Sequence, residues 1–506
     1  MNRNSLTTAV IAGIAGVAGL TSQVGAVNLN PDGLGQVLLY PYYTVNGGQQ
    51  TLLSVVNTTN VGKAVKVRFL EGYNSREVLD FNLFLSPFDV WTATVFALND
   101  VGAGTAGAGI TTTDKSCTFG TFATPNSNLA SGTYQAFKSD AYTGAYTDTG
   151  PTSITRTQEG HFEMITMADI IDGSDLDGDI THAQPAGVPP ACNSAEGDFV
   201  TSAGGAVPGQ TEAPTSGIFG AAAVVNVGNG TYYAYNADAL DGFTSVNLAS
   251  DAGSLLPSLS SVNDSTGTTA TSYVFDDGAL VTSSWPVTGT PGTFKSQIDA
   301  VSSVFMAANI YNEYESSAGT SGTDWVVTFP TKRFYVDPVY TGNVSTAFKP
   351  FEEVFGLGDS GDGLSCVVIG ISIFNREEGT ITPEGCGFSP CTGQPPSSIC
   401  YETNVITFNA NSGTTSVLDS TLNRNILPNG TAGWANLSLV DSAGVHQLRP
   451  ANNLNLFSGL PITGFSAVRF TNGSVTYNGA SVLSNYSGVF RHRISRDCTN
   501  GAGACS

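Results

Sequence analysis

The chain has 506 residues, of which only 12% are charged, 19 basic against 41 acidic, for a net charge of −22. This balance excludes nucleic-acid binding by phosphate neutralisation and instead favours divalent cations or a basic partner. A hydrophobic content of 41% is enough for real cores, the length suits about two to four domains, and the scarcity of charge leaves solubility to Ser, Thr, Asn and Gly.

Residues 1–26 read as a secretory signal peptide. Met1-Asn2-Arg3-Asn4 is short and positive, residues 6–20 are apolar, and Thr21-Ser22-Gln23-Val24-Gly25-Ala26 offers a small residue for cleavage after Ala26. The apolar run is shorter than the roughly 20 residues a membrane-spanning helix needs. No later stretch qualifies as a transmembrane segment. The exported chain is expected to hold to the cell by contacts of its own folded surface.

Beyond the leader the signal is strands. Val65, Val67 and Phe69 alternate with Lys66, Arg68 and Leu70, and residues 52–56, 78–85, 90–95 and 325–329 are short runs rich in β-branched and aromatic residues. Turn residues bound them: Asn46-Gly47-Gly48, Asn60-Val61-Gly62 and Ser86-Pro87. Ile298, Val301, Phe305 and Ile310 follow helical spacing and suggest one short helix within 296–314. Gly, Ser, Thr and Pro collect at 101–113, 202–217, 250–272 and 376–400, which read as surface loops. The expected fold is mainly β and multi-domain, with immunoglobulin-like β-sandwiches carrying long loop insertions. The coarse division is an N-terminal sandwich at 27–125, an acidic central β-rich region at 126–345 and a C-terminal β-rich region at 346–506. Unequal strands and long loops argue against an outer-membrane barrel.

Eight cysteines in an exported chain argue for disulfides. Eight allow 105 connectivities. Short loops favour Cys386 with Cys391 and Cys498 with Cys505, which would leave Cys366 with Cys400 and Cys117 with Cys192. Charge is polarised: residues 101–300 hold 20 acidic and 4 basic side chains, a local net of −16, whereas residues 442–506 hold five arginines and one acid, Asp497, a local net of +4. Arg491 and Arg493 would share one face of a strand. With Arg496 they are candidates for contact with lipid phosphates, such as outer-membrane lipopolysaccharide, or with acidic patches of a neighbouring copy.

Motifs for catalysis are missing. Gly358-Asp359-Ser360-Gly361 resembles a trypsin-like nucleophile, but Asp362-Gly363 follows, and none of the four histidines, His161, His182, His446 and His492, sits in a matching context. No motif selects Glu71, Glu352 or Glu353 as glycosidase carboxylates. The best metal candidate is the Asp/Gly segment with Asp172, Asp175, Asp177 and Asp179, whose oxygen-rich character suits Ca²⁺. It departs from an EF-hand loop, with Gly173 at the first ligand position and Gln184 at the last. Weaker cation candidates are Asp276-Asp277 and Asp359 with Asp362. Trp91, Trp285, Trp325 and Trp434 lie in or beside apolar runs and are expected to anchor cores.

Several segments carry a family resemblance. They are Gly33-Leu-Gly-Gln-Val-Leu-Leu-Tyr-Pro-Tyr-Tyr43, Thr51-Leu-Leu-Ser-Val-Val-Asn57, the 63–95 run containing FLEGYNSREVLDFNLFLSPFDVW, Glu159-Gly-His-Phe-Glu163, Trp325-Val-Val-Thr-Phe-Pro-Thr-Lys-Arg-Phe-Tyr335 and Gly459-Leu-Pro-Ile-Thr-Gly-Phe465. Together they resemble exported, biofilm-associated surface-layer proteins of gammaproteobacteria. The resemblance implies a non-enzymatic subunit that self-assembles into a two-dimensional lattice on the outer cell surface and is shed into biofilm matrix. It brings no catalytic motif. Ca²⁺-assisted assembly is a secondary expectation. The rival expectations are an extracellular adhesin or glycan-binding protein and, behind it, a secreted hydrolase.

Overall fold

β-Branched and aromatic residues between turn residues favour extended chain, and the protein is mainly β, with 47% of the described residues in strands and 12% helical. The computed structural model describes residues 25–102, 104–120, 124–125, 133–185, 187–262, 269–286, 297–356, 363–381, 398–409, 416–450, 455–500 and 503–505. The leader up to Val24, the Gly358-Asp359-Ser360-Gly361 segment with Asp362, and Cys386 and Cys391 lie outside these residues. The strands expected at 52–56, 65–69, 78–85 and 90–95 fall inside Gln50–Asn57, Gly62–Glu71, Glu77–Leu85 and Val90–Ala97.

Two sandwich-like bodies share one buried junction. In the first, a ten-stranded sheet runs from Ala279–Pro286 at one edge to Cys117–Phe119 at the other, with Val37–Thr44, Glu159–Ile170, Gly62–Glu71 and Glu77–Leu85 adjacent in its middle. It faces a seven-stranded sheet ordered Thr231–Asn236, Ile218–Asn226, Gln50–Asn57, Val90–Ala97, Ala108–Thr111, Thr133–Ala136, Thr124–Pro125. Tyr40, Phe162 and Phe69 lie on three neighbouring strands in register, and their rings stack at 4.1 and 4.8 Å. Such pairs add about 0.5–1.5 kcal/mol each beyond area burial.

The second body packs two five-stranded sheets, one centred on Ala432–Ser438 and the other on Ser321–Thr328. Trp325 and Val327 point into its core with Tyr314 and Phe408, whereas Val326 packs with Val405, Phe465 and Ala467 against the first body. Burial on both faces explains why this strand reads as a continuous apolar run rather than an alternating one. The sheet orders establish layered sandwiches and go no further toward immunoglobulin identity.

Strand pairing crosses both boundaries drawn from composition. Glu159–Ile170 sits between Val37–Thr44 and Gly62–Glu71, and Ile218–Asn226 pairs with Gln50–Asn57, so the first body draws on residues 26–286 instead of stopping near 125. Asn309–Glu315 and Ser321–Thr328 pair only with later strands, so the second body begins well before 345. Composition reports local chain, whereas sheets are assembled from strands far apart in sequence. All four segments expected as loops also contribute strands: Ala108–Thr111, Thr211–Glu212, Thr269–Asp276, which begins inside its loop, and the short Thr380–Ile381 and Ser398–Ile399.

The expected helix is shorter than its periodicity suggested. It spans Ile298–Phe305, and Ile310 belongs instead to the strand Asn309–Glu315. Every residue of the helix is buried, including Asp299, Ser302 and Ser303. Tyr335 donates to Asp299 at 2.7 Å, and Ser302 bonds Thr331 and Tyr335. Three disulfides staple the described chain: Cys117 to Cys192, Cys366 to Cys400 and Cys498 to Cys505. Among the described residues no helix is long and apolar enough to cross a membrane.

Candidate functional site

Alternation in Gly62–Glu71 places Lys66 and Arg68 opposite the core face, where solvent is expected. Instead every residue of this strand is buried. Its second face is covered by the 172–200 helices and by the second body, so each cation must find a carboxylate. Cross-strand register supplies them. Lys63 lies opposite Asp169 and pairs at 2.7 Å, and Arg68 lies opposite Glu163 and pairs at 2.7 Å. Arg68 also meets Glu77 at 2.6 Å, and Lys66 meets Asp80 at 2.6 Å.

From Arg68 the network runs into the junction. Arg333, on the second body's approach, reaches Glu163 at 3.4 Å and donates to the Ser75 carbonyl. Glu71 accepts both Nε and Nη2 of Arg156, at 2.7 and 2.9 Å, together with the backbone N–H groups of Tyr73, Asn74 and Arg76. Arg156 grips Asp148 as well, twice at 2.8 Å, and lies 4.4 Å from the Tyr142 ring centroid. Arg76 pairs with Asp337 at 3.1 Å. Lys332 donates to the carbonyls of Ser365, Cys400 and Tyr401, which fastens the Cys366–Cys400 loop.

The electrostatics follow from burial. Burial pushes the Asp148 carboxyl up, but the hydrogen bonds and charge of Arg156, with Arg76, outweigh it and hold the group below the usual carboxylate range. Glu402, which accepts from Ser75, is raised to about 8 by burial, partly countered by Lys332. Burial lowers the Lys332 ammonium to about 8. His161 is pushed down to about 3 by burial and then by Arg333 and Arg68, so its imidazole is neutral. These groups are sealed from solvent and joined across four chain segments, an arrangement that fixes how the two bodies register.

The sequence-selected residues fall elsewhere or take structural roles. Glu71 is held by five donors. Glu353 accepts the Cys366 N–H, and Glu352 lies 2.5 Å from His446 Nε2. The Ser86 hydroxyl lies 2.8 Å from His182 Nδ1, but Asp89 approaches that same ring nitrogen at 3.8 Å. A catalytic relay needs the two partners on opposite nitrogens. His492 is buried beside Trp325 and faces the Val326 carbonyl.

Asp175, Asp177 and Asp179 do not form a loop. They lie on the helix Asp175–Ile180, capped by Ser174, while Asp172 precedes it in an exposed turn. Asp177 accepts from the Gly173 N–H and the Thr181 hydroxyl, and Asp179 faces Asp198 of the helix Cys192–Phe199. Among the described residues no group of three or more His, Cys, Asp or Glu side chains converges to hold a metal ion. Asp276 and Asp277 stand at a hairpin turn, with Asp277 at φ 44°.

Of the three arginines, Arg491 pairs with Asp238 at 2.8 Å and Arg496 turns inward, donating to the Val304 and Met306 carbonyls at the end of the helix Ile298–Phe305. Burial lowers the Arg496 guanidinium to about 10. Arg496 is therefore a helix C-terminal partner and not a surface contact. Arg493 is exposed and makes no ion pair among the described residues. Trp91, Trp285 and Trp325 are buried as expected, but Trp434 is 41% exposed, stacked on Phe374 at 4.1 Å on the outside of the second body.

The outer surface has a feature that motif reading passed over. Residues 470–490 contain no charged side chain, and Phe470, Val475, Tyr477, Val482, Leu483, Tyr486 and Phe490 within them are all exposed. At their centre Ser474–Tyr477 pairs with Ala480–Leu483 in a two-stranded hairpin with every residue exposed. The available signal was the absence of charge itself, together with Asn478-Gly479, a hairpin turn dipeptide. The seven-stranded sheet carries on its outer face a trough of about 650 Å³, floored by Leu52, Ala221, Ala223 and Ala234.

Comparison with protein-family models, curated proteins and solved structures finds no match for this chain.

Proposed function

We propose that this chain is a structural subunit that assembles with copies of itself into a two-dimensional layer on the outer cell surface, with shed material entering biofilm matrix. The observation that carries this reading is the uncharged, apolar and exposed 470–490 segment. Exposed apolar patches of more than a few hundred Å² mark interaction sites on soluble proteins, and a lone two-stranded hairpin is marginally stable in water. The ionisable groups, by contrast, are drawn inward into a sealed network that braces the subunit. Three disulfides suit an oxidising compartment outside the cytoplasm.

Exposed Arg493 supports contact with anionic headgroups or with an acidic face of another copy. Calcium enters through the exposed carboxylates of Asp172 and Asp175, which have no intramolecular cage among the described residues and would need ligands from a neighbour. On this reading a chelator dissolves assemblies and leaves the melting of the isolated subunit unchanged. A chelator that lowers the subunit's own melting temperature would contradict it.

Electron microscopy of the producing cells tests the proposal. A regular surface lattice is expected, and it should vanish when the gene is deleted. Wild-type cells without a lattice, or a lattice that survives deletion, would refute it. One observation favours a second reading as a glycan-binding surface protein, namely the solvent-facing Trp434–Phe374 stack. Glycan-array binding by the monomer that is lost in Trp434→Ala would support that reading.

A further inference from the structure

The hairpin Ser474–Leu483 is an aimed projection. Asn478 and Gly479 have φ of 47° and 80°, both positive, as a tight two-residue turn requires. Its root is clamped: Ser484 donates its backbone N–H to Gly473 at 2.8 Å, and Asn485 donates to the Asn229 carbonyl at 2.7 Å. Leu483 packs on Gly230, where an added Cβ would stand 2.7 Å from its Cδ2. Both faces of the ribbon are in solvent, and they carry Val475, Tyr477, Val482 and Leu483. An exposed ribbon with apolar side chains and free edges is a pairing hazard unless something covers it.

The trough on the seven-stranded sheet has the complementary character. Small side chains, Ala221, Ala223 and Ala234, leave its floor low, and Phe96 and Tyr232 flank it. Its volume is about 650 Å³, and the hairpin of the same chain takes no part in its lining. Among the described residues that line it, Asp100 is the one charged side chain and none is basic. The hairpin is flanked in sequence by Arg469, Arg491 and Arg493, with no acid between residues 442 and 496. Shape, polarity and charge thus match a convex apolar ribbon, flanked in sequence by Arg469 and Arg493, to a concave, largely apolar sheet face that carries one carboxylate, Asp100.

We propose that the hairpin Ser474–Leu483 of one copy seats in the trough of the seven-stranded sheet of the next. This rests on the reading of the chain as a self-assembling subunit and names the contact. The two patches differ, so the contact is heterologous. Each added copy presents a fresh hairpin and a fresh trough, and the contact propagates into rows.

The test uses the full exported chain after leader removal. V475D/Y477D charges the hairpin, and L52D/A221D charges the trough with the same sign, so that the two altered patches repel each other. Both sets of positions are solvent-facing or partly so, and thermal melting checks that each variant folds. Wild type is expected to form rows by electron microscopy and light scattering, whereas each variant alone stays monomeric. Mixed, the two variants are expected to form a 1:1 dimer of twice the monomer mass and nothing larger, because one supplies the only intact hairpin and the other the only intact trough. A photo-crosslinker at Tyr477 should map to the Gln50–Asn57 and Ile218–Asn226 strands of another copy. If wild type assembles and V475D/Y477D assembles equally, or if the mixture stays monomeric, or if crosslinks land on another hairpin or on a glycan, this inference fails while the surface-layer reading stands. If wild type stays monomeric at all calcium concentrations, both fall.

Discussion

Replacing Arg156 with Met tests whether the buried network braces the fold. The substitution keeps an unbranched side chain of similar length and removes a guanidinium that holds Glu71 at 2.7 and 2.9 Å and Asp148 twice at 2.8 Å. Breaking a buried ion pair by deleting one partner costs about 3–5 kcal/mol, because the other charge is left uncompensated. Two carboxylates are stranded here, but both keep other donors. Glu71 retains three backbone N–H groups, and Asp148 retains the Gly150 N–H and Arg76. The expected loss is therefore near about 3 kcal/mol, the low end of that range. Denaturant unfolding followed by the fluorescence of the buried tryptophans measures it. The triple variant E71Q/D148N/R156M removes the charges together and should be less destabilised than R156M alone. A loss below about 1 kcal/mol for R156M, the level of an exposed pair, or a triple variant no better than the single, would refute the argument. The pH dependence gives an independent reading. Asp148 has a folded pKa below its unfolded value, so its stabilisation is present above the ordinary carboxylate range and lost as pH falls through the folded value. R156M should lack that portion of the acid loss.

Other outcomes follow from the same structure. Between pH 6.5 and about 3 the unfolded chain protonates His161 and the folded chain does not, so stability falls on acidification through this window, by on the order of 5 kcal/mol in full; H161Q should flatten that slope in melts recorded from pH 7 to 4, and an unchanged slope would show that the histidine is not held neutral. The Cys117–Cys192 bridge closes a separation of 75 residues, for which chain entropy gives roughly 4 kcal/mol. C117S/C192S should lose up to that amount and expose the helix Cys192–Phe199 to proteolysis first, and equal resistance to cleavage would contradict the role of the bridge. Gly160 has no room for a side chain, since a Cβ would stand 2.0 Å from the Leu70 carbonyl oxygen; G160A should separate the Gly62–Glu71 and Glu159–Ile170 strands locally and lower the melting temperature, and a wild-type melt would be inconsistent with that packing.

The segments that first stood out in the sequence acquire a physical role in the structure. FLEGYNSRE holds Glu71 and Arg76, Glu159-Gly-His-Phe-Glu163 holds His161 and Glu163, and the 325–335 run holds Lys332 and Arg333. Their charged residues meet in the junction. The sequence does not show this burial, because alternation identifies which residues share a face but not what covers it. Lys66 and Arg68 alternate with the core residues of their strand and are buried all the same. Trp434 was assigned to the core, and only the position of Ala432–Ser438 in an outward-facing sheet leaves it half in solvent.

What the sequence determined by itself is the local chemistry: β-rich chain with strands at 52–56, 78–85 and 90–95, which lie inside the observed ones, cysteines in number and spacing that permit the three observed bridges, and a long uncharged stretch at 470–490. These are readable because turn residues, β-branching and charge act within a few residues. Tertiary structure decided the rest. It set which strands became neighbours, so that residues 26–286 built one body, and put Asp175, Asp177 and Asp179 on a capped helix. It also folded Arg496 inward onto a helix end and brought charges from four segments into one sealed network. Each of those outcomes depends on contacts between residues tens to hundreds of positions apart, whose partners no local pattern specifies.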